Sequence, residues 1–264
     1  MQMAKVNGIR VHYADSGPRD GVPLVFSNSL GTDFRVWDRL LPHLPEGLRI
    51  IRYDKRGHGL TECPAAPYAM ETLVEDAAAL IAHLELPPCV FVGLSIGGLI
   101  GQGLAAARPE LLRAMVLCDT AARIGSADLW DNRIEAINRG GIAAIEEQIL
   151  SRWFTESFRT TRQDELAGWR HMLCRTPEDG YLGCCYAIRD ADFRASDPKL
   201  SLPVLVVAGE EDGSTPPALV EETAALIPGA RFHVIKGAGH LPCVEQPEAL
   251  GALIGDFLRE NGIV

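Results

Sequence analysis

The stretch Val90-Phe91-Val92-Gly93-Leu94-Ser95-Ile96-Gly97-Gly98 sets the terms on which the rest of the chain is read. Val90 to Leu94 is short, apolar and rich in β-branched residues, a pattern that suits a strand buried on both faces. It runs straight into Gly-x-Ser-x-Gly, after which Leu99, Ile100, Leu104 and Ala105 fall at helical spacing. Between a strand and a helix this motif holds its serine in a strained backbone conformation above the end of a sheet. Gly93 and Gly97 allow strand and helix to approach where a Cβ would collide. The helix N-terminus then directs free N–H groups at whatever Ser95 attacks. In a surface turn the same five residues would carry no chemistry, so the flanking strand and helix are what make Ser95 a candidate nucleophile.

Outward from this elbow the chain repeats one rhythm. Val22–Phe26, Arg49–Tyr53, Ala114–Cys118, Pro203–Gly209 and Arg231–Ile235 read as strands. Helical stripes lie between them, at Leu73, Ala77, Leu80, Ile81 and Leu84 and from Pro217 to Ile227, and a closing helix carries Leu250, Leu253, Ile254, Phe257 and Leu258. Such alternation predicts an α/β fold with a mostly parallel central sheet flanked by helices. Ligands of such sheets bind beyond the carboxyl ends of the strands. Ile9–Ala14 alternates like a further strand, on which His12 is expected to face solvent. From residue 121 to 198 the strand rhythm stops and the apolar spacing turns helical, with Trp130, Ile134 and Ile137, then Ile142, Ile145, Ile149 and Trp153. The expected organisation is a core of residues 1–120 and 199–264, with a helical cap of residues 121–198 inserted before the penultimate strand to shield the site from water.

Composition narrows the function. The 264 residues carry a net charge of −10, with 47% hydrophobic and 23% charged residues, so the chain lacks the basic surplus of a general nucleic-acid binder. The N-terminus lacks a signal-peptide pattern, and no apolar run reaches membrane-spanning length. Seven cysteines without regular spacing suit a reducing compartment, and the cytoplasm is the expected location. Cys184 and Cys185 are adjacent, unlike the spaced pairs of a zinc site. No cofactor or metal is expected, and the oligomeric state is left open.

A serine hydroxyl becomes a nucleophile when a base takes its proton, and that base needs a carboxylate to orient it. His240, in the Gly-rich stretch Gly237-Ala238-Gly239-His240 after the last strand, is the expected base. Asp212, after the penultimate strand and before a turn, is the favoured acid, with Glu210, Glu211 and Asp119 as rivals. The order Ser, Asp, His is that of α/β-hydrolases. A tetrahedral intermediate needs two donors, for which the backbone N–H groups of Ile96 and Leu30 are the candidates.

The chain resembles the α/β-hydrolases from end to end, and more narrowly the 3-oxoadipate enol-lactonases. The resemblance is carried by Ser27-Asn28-Ser29-Leu30-Gly31-Thr32-Asp33, Tyr53-Asp54-Lys55-Arg56-Gly57-His58-Gly59, the Ser95 elbow, Gly183-Cys184-Cys185-Tyr186-Ala187-Ile188-Arg189-Asp190 and the His240 loop. It implies hydrolysis of a small anionic lactone through an acyl-enzyme, in aromatic catabolism. Specificity would then rest on the substrate's free carboxylate, whose planar partner is an arginine. All ten Lys or Arg residues of the cap are arginine. Arg133 is the favoured one, on the flank of the apolar stripe, unless Asp131 or Glu135 pairs with it. Trp130, Trp153 and Arg152 are further substrate-side candidates. Arg56 is expected to brace loops and Lys55 to be solvated. Rival readings are a general carboxylesterase or cofactor-free perhydrolase of the same fold, and a hydrolase-fold receptor for a small molecule.

Overall fold

The computed structural model describes residues 1–264. Eight strands form one sheet: β1 (Gln2–Val6), β2 (Ile9–Ser16), β3 (Val22–Ser27), β4 (Leu48–Tyr53), β5 (Cys89–Leu94), β6 (Leu112–Cys118), β7 (Val204–Gly209) and β8 (Arg231–Ile235). Their spatial order is β1-β2-β4-β3-β5-β6-β7-β8. The first three in that order are paired antiparallel, and every pairing from β4 to β8 is parallel. Parallel strands need crossovers, and the helices α1 (Met70–His83), α2 (Ile96–Ala107) and α8 (Pro217–Leu226) lie in three of them, while α9 (Pro242–Glu245) and α10 (Pro247–Glu260) close the chain after β8.

The central strands are covered on both faces, which explains their uninterrupted apolar sequence. Every residue of β5 and of β7 is buried. Strand β8, at the sheet edge, keeps only Ile235 buried. Helix α1 buries one stripe, with Leu73, Val74, Ala77, Leu80 and Ile81 on it, whereas α2 is buried without a break from Ile96 to Ala105. Between β6 and β7 come five helices: α3 (Ala127–Gly140), α4 (Glu146–Trp153), α5 (Glu156–Thr161), α6 (Gln163–Cys174) and α7 (Glu178–Asp190). Their apolar side chains, Trp130, Ile137, Trp153 and Leu173 among them, belong to the same continuous core as the sheet.

Two expectations about single residues are corrected here. His12 does not face solvent. Its ring stacks on Phe34 at 4.9 Å and its Nδ1 lies 2.8 Å from Asp54 Oδ2. The same carboxylate accepts the Phe34 and Leu60 amides, so it draws the β2 side chain inward. Lys55 is not solvated either. It is 1% exposed, and its Nζ donates to the Ser29 carbonyl at 2.5 Å. Arg56 does brace loops, since its guanidinium grips Asp76 of α1 at 2.7 and 2.8 Å and also donates to the Asn7 carbonyl at 3.3 Å.

Candidate active site

The ends of β5, β6, β7 and β8 are laced together by hydrogen bonds. The Ser95 amide donates to the Cys118 carbonyl at 2.9 Å, the Asp119 amide to Val207 at 2.8 Å, and the Glu210 and Glu211 amides to Ile235 and Ala238 at 2.9 Å each. This lacing brings three loops, far apart in sequence, to one end of the sheet. Ser95 sits at the sharpest of the turns, with φ 57° and ψ −117°, a left-handed conformation that a side-chain-bearing residue holds only under constraint. The constraint is visible in its neighbours. A Cβ on Gly93 would overlap the Gly97 backbone, and one on Gly97 would overlap the Ser27 carbonyl.

His240 and Asp212 meet as a buried pair. His240 Nδ1 lies 2.8 Å from Asp212 Oδ2, and the two residues are 2% and 4% exposed. Asp212 collects further donors. Oδ1 accepts the Ser214 and Thr215 amides at 2.7 and 3.1 Å, and Oδ2 accepts the Thr215 hydroxyl at 2.6 Å. Burial alone would raise the Asp212 pKa, but His240 and these donors outweigh it and hold the carboxyl below its ordinary value. The carboxylate therefore stays ionised beside the imidazole. Of the rival acids, Glu210 is tied to the Gly237 amide at 3.1 Å, while Asp119 lies behind the pair. Asp119, Asp212 and His240 each present an atom within 4.8 Å of the others, a spacing a cation could use. Within that group His240 Nδ1 and Asp212 Oδ2 are engaged with one another.

The loop after β3, Ser27–Thr32, is held from below. Lys55 takes the Ser29 carbonyl, and His58 Nε2 accepts the Gly31 amide at 3.0 Å while its Nδ1 lies 3.2 Å from the Arg56 carbonyl. Burial, reinforced by the Lys55 charge, pushes the His58 pKa well below its ordinary value. The ring is thus neutral and able to accept. Within the loop the Asn28 side chain closes onto the Thr32 carbonyl. The Leu30 amide donates to no loop or turn carbonyl, and Ile96 opens helix α2, where its amide has no intrahelical acceptor. Sequence reasoning gave His58 and Lys55 no part in holding this loop. Their place in the Asp54–Gly59 loop was the only signal.

The inserted helices come down on the same end. A Cβ on Gly31 would meet Leu173 at 2.7 Å, Tyr181 at 3.0 Å and Trp153 at 3.5 Å, side chains from α6, α7 and α4. The Trp153 carbonyl accepts the His240 amide at 2.9 Å, and a Cβ on Gly213 would lie 3.2 Å from the Arg152 backbone. Trp130 is buried, with its indole N–H on the Ile124 carbonyl at 2.6 Å and the Arg133 guanidinium 4.6 Å from its ring centre. Asp131 and Glu135 pair with Arg189 and Arg139 instead of Arg133. Burial, then the nearby Arg133 charge, lowers the Arg152 pKa, so the two guanidiniums feel one another. A separate open cleft of about 820 Å³ between Asp33–Arg39 and α6 contains none of these groups.

Comparison with known proteins agrees with this architecture. Residues 24–253 match the Alpha/beta hydrolase family. The chain is 36% identical to 3-oxoadipate enol-lactonase 2 of Acinetobacter baylyi, over 95% of this chain and 94% of that protein. The enol-lactonase of Burkholderia xenovorans LB400 superposes with a TM-score of 0.94 at 37% identity, covering 98% of this chain and 100% of the other. A thermophilic esterase from Thermogutta terrifontis, solved with malate bound, superposes at 0.92 with 30% identity and 99% of both chains covered. The chain belongs to the alpha/beta hydrolase family and, within it, to the carboxylic-ester hydrolases.

Proposed function

We propose that this enzyme opens the lactone ring of 3-oxoadipate enol-lactone to give 3-oxoadipate, as a cytoplasmic step in aromatic catabolism. Ser95 Oγ attacks the lactone carbonyl as His240 takes its proton, and Asp212 orients the ring and balances the imidazolium. The amides of Ile96 and Leu30 receive the developing oxyanion. The ring C–O bond breaks, and the departing enolate oxygen takes the proton from the His240 imidazolium, which restores the neutral base. Water, deprotonated by His240, then releases the acyl group from Ser95, and the enol product tautomerises to the ketone. Residues 121–198 act as the cap that excludes bulk water and carries the specificity.

The observation that carries this reading is the pair Arg133 and Arg152, two guanidiniums that feel one another's charge and form no salt bridge with a carboxylate of the protein, Arg133 over the Trp130 ring and Arg152 beside Gly213 of the Asp212 turn. Uncompensated cations in a chain of net charge −10 call for an anion brought by the substrate. An esterase of this architecture with a bound dicarboxylate, malate, supports the same requirement. Trp153, between Gly31 and His240, would close the apolar side of the substrate.

The test is kcat/KM for the enol-lactone beside an uncharged ester such as p-nitrophenyl acetate. The lactone should be strongly preferred, and Arg133→Ala should lower its kcat/KM by about ten- to a hundredfold while leaving the neutral ester nearly unchanged. Ser95→Ala should abolish turnover of both with the fold intact. Better hydrolysis of the neutral ester, indifferent to Arg133, would reassign the protein as a general esterase.

A further inference from the structure

Asp119 follows β6 directly and stands behind the His240–Asp212 pair without a role in the reaction described above. It is completely buried and holds a φ of +47°, a conformation that Asp tolerates better than most residues but that still requires constraint. The Asp119 amide on Val207 and the Gly209 amide, which donates to Asp119 Oδ1 at 2.7 Å, fix the side chain. Oδ2 receives no donor at all. Its carboxyl group, that of Asp212 and the His240 ring nevertheless converge within 4.8 Å.

Two buried carboxyls in such proximity do not both ionise. The donors decide which one keeps the proton. Asp212 accepts two amides and a hydroxyl besides its contact with His240, whereas Asp119 accepts one amide. The proton therefore belongs to Asp119, and its Oδ2, otherwise unpartnered, is the atom left to carry it. We infer that Asp119 is a positioning residue, a neutral carboxylic acid whose Oδ2–H donates to the Asp212 carboxylate and tempers the hold of Asp212 on the His240 proton. Burial first, and the Asp212 charge second, keep its pKa well above the usual carboxylate range.

The other groups around this cluster fit a neutral Asp119. Cys118 and Cys243 are thiols whose pKa burial pushes up, so they bring no charge. Glu245, on α9, accepts the Gly239 amide at 2.8 Å and is the other acidic neighbour of Asp119, its own pKa raised by burial. Arg152, on α4, is the cation that lies over the Asp212 turn at Gly213. A second full negative charge on Asp119 would trap the imidazolium and slow its return of the proton. A donor in the same place spreads the charge of Asp212 instead.

The inference rests on the Ser95–His240–Asp212 reading, and the experiment separates the two. The acid limb of kcat/KM for an uncharged ester is recorded for the wild type and for Asp119→Asn, Asp119→Ala and Ser95→Ala. Asn keeps the shape, an acceptor for Gly209 and a donor toward Asp212, so its limb should stay within about 0.3 pH unit of the wild type and its rate within about threefold. Ala removes the donor, so Asp212 should bind the His240 proton more tightly, moving the limb up by about half to one pH unit and lowering the plateau about tenfold. A displaced limb in Asp119→Asn, downward by about one unit if Asp119 is ionised, overturns the inference even where Asp119→Ala does not fold. So does a wild-type profile in both variants. Turnover retained in Ser95→Ala would instead remove the triad reading and, with it, the role given to Asp119.

Discussion

Lys55 carries an ammonium group into a place that water does not reach. Burial lowers its pKa to about 8, which leaves it mostly cationic at neutral pH. Its hydrogen bond goes to the Ser29 carbonyl, one residue before the amide proposed to bind the oxyanion. A buried cation without an ion-pair partner is a poor way to stabilise a fold; here its effect is to fix the loop. Lys55→Met keeps the length of the side chain and discards the charge. The expected result is a fall in kcat of about tenfold with KM nearly constant and Tm unchanged or raised. A wild-type kcat would show that His58 and Asn28 hold the loop unaided. At this scale, legibility depended on position. Ser95 and His240 stand where one element gives way to the next, and an Asp at the end of β7 has few other uses. Nothing local marks Lys55 or His12 as buried, because the groups that enclose them come from elsewhere in the chain, Cys184 of α7 beside Lys55 and Phe34 over His12.

Elements with an uninterrupted period were readable, and those whose identity depends on a partner were not. Strands β3 to β8 and helices α1, α8 and α10 lie close to where periodicity puts them. Strand β1 was overlooked, although Asn7-Gly8, both at positive φ, is the turn pair of a tight hairpin and Ala4 and Val6 alternate with exposed neighbours. The single helical turn Asp197–Lys199 before β7 gave no signal, yet it carries a testable burden. Both Asp197 carboxylate oxygens are buried without partners, and burial, aided by Asp192, raises its pKa to about 7. Because the folded value exceeds the unfolded one of about 3.9, the folded state binds more protons between them. Its contribution to stability is thus present at low pH and lost as pH rises through about 7. Asp197→Asn should leave the protein little changed at acid pH and make it more stable than the wild type by roughly 2–3 kcal/mol at pH 8. Thermal melts at both pH values check this, and a difference independent of pH would refute it.

The molecule as a whole brings the proposed triad to the place where the carboxyl ends of the parallel strands meet the underside of five inserted helices. The sequence announced the sheet end through its loops and the insertion through the break in strand rhythm, but it could not say where the two would touch. One of the places where they touch is Glu245. Its Oε1 accepts the Thr155 amide and hydroxyl at 3.2 and 2.7 Å, just after α4, and its Oε2 accepts the Gly239 amide at 2.8 Å, beside His240. The neighbouring bond from the His240 amide to the Trp153 carbonyl closes a ring between α4 and the His240 loop. One carboxylate therefore joins the inserted helices to the His240 loop, and under the proposed mechanism that joint aligns the cap with the base. Glu245→Ala removes three hydrogen bonds and leaves the backbone around them in place. It should lower Tm by about 4–8 °C and reduce kcat/KM about tenfold for the lactone and a neutral ester alike. That uniform loss is the signature to look for, since Arg133→Ala is expected to affect the anionic substrate alone. A lowered Tm with both rates intact would mean that the cap and the His240 loop find their places independently.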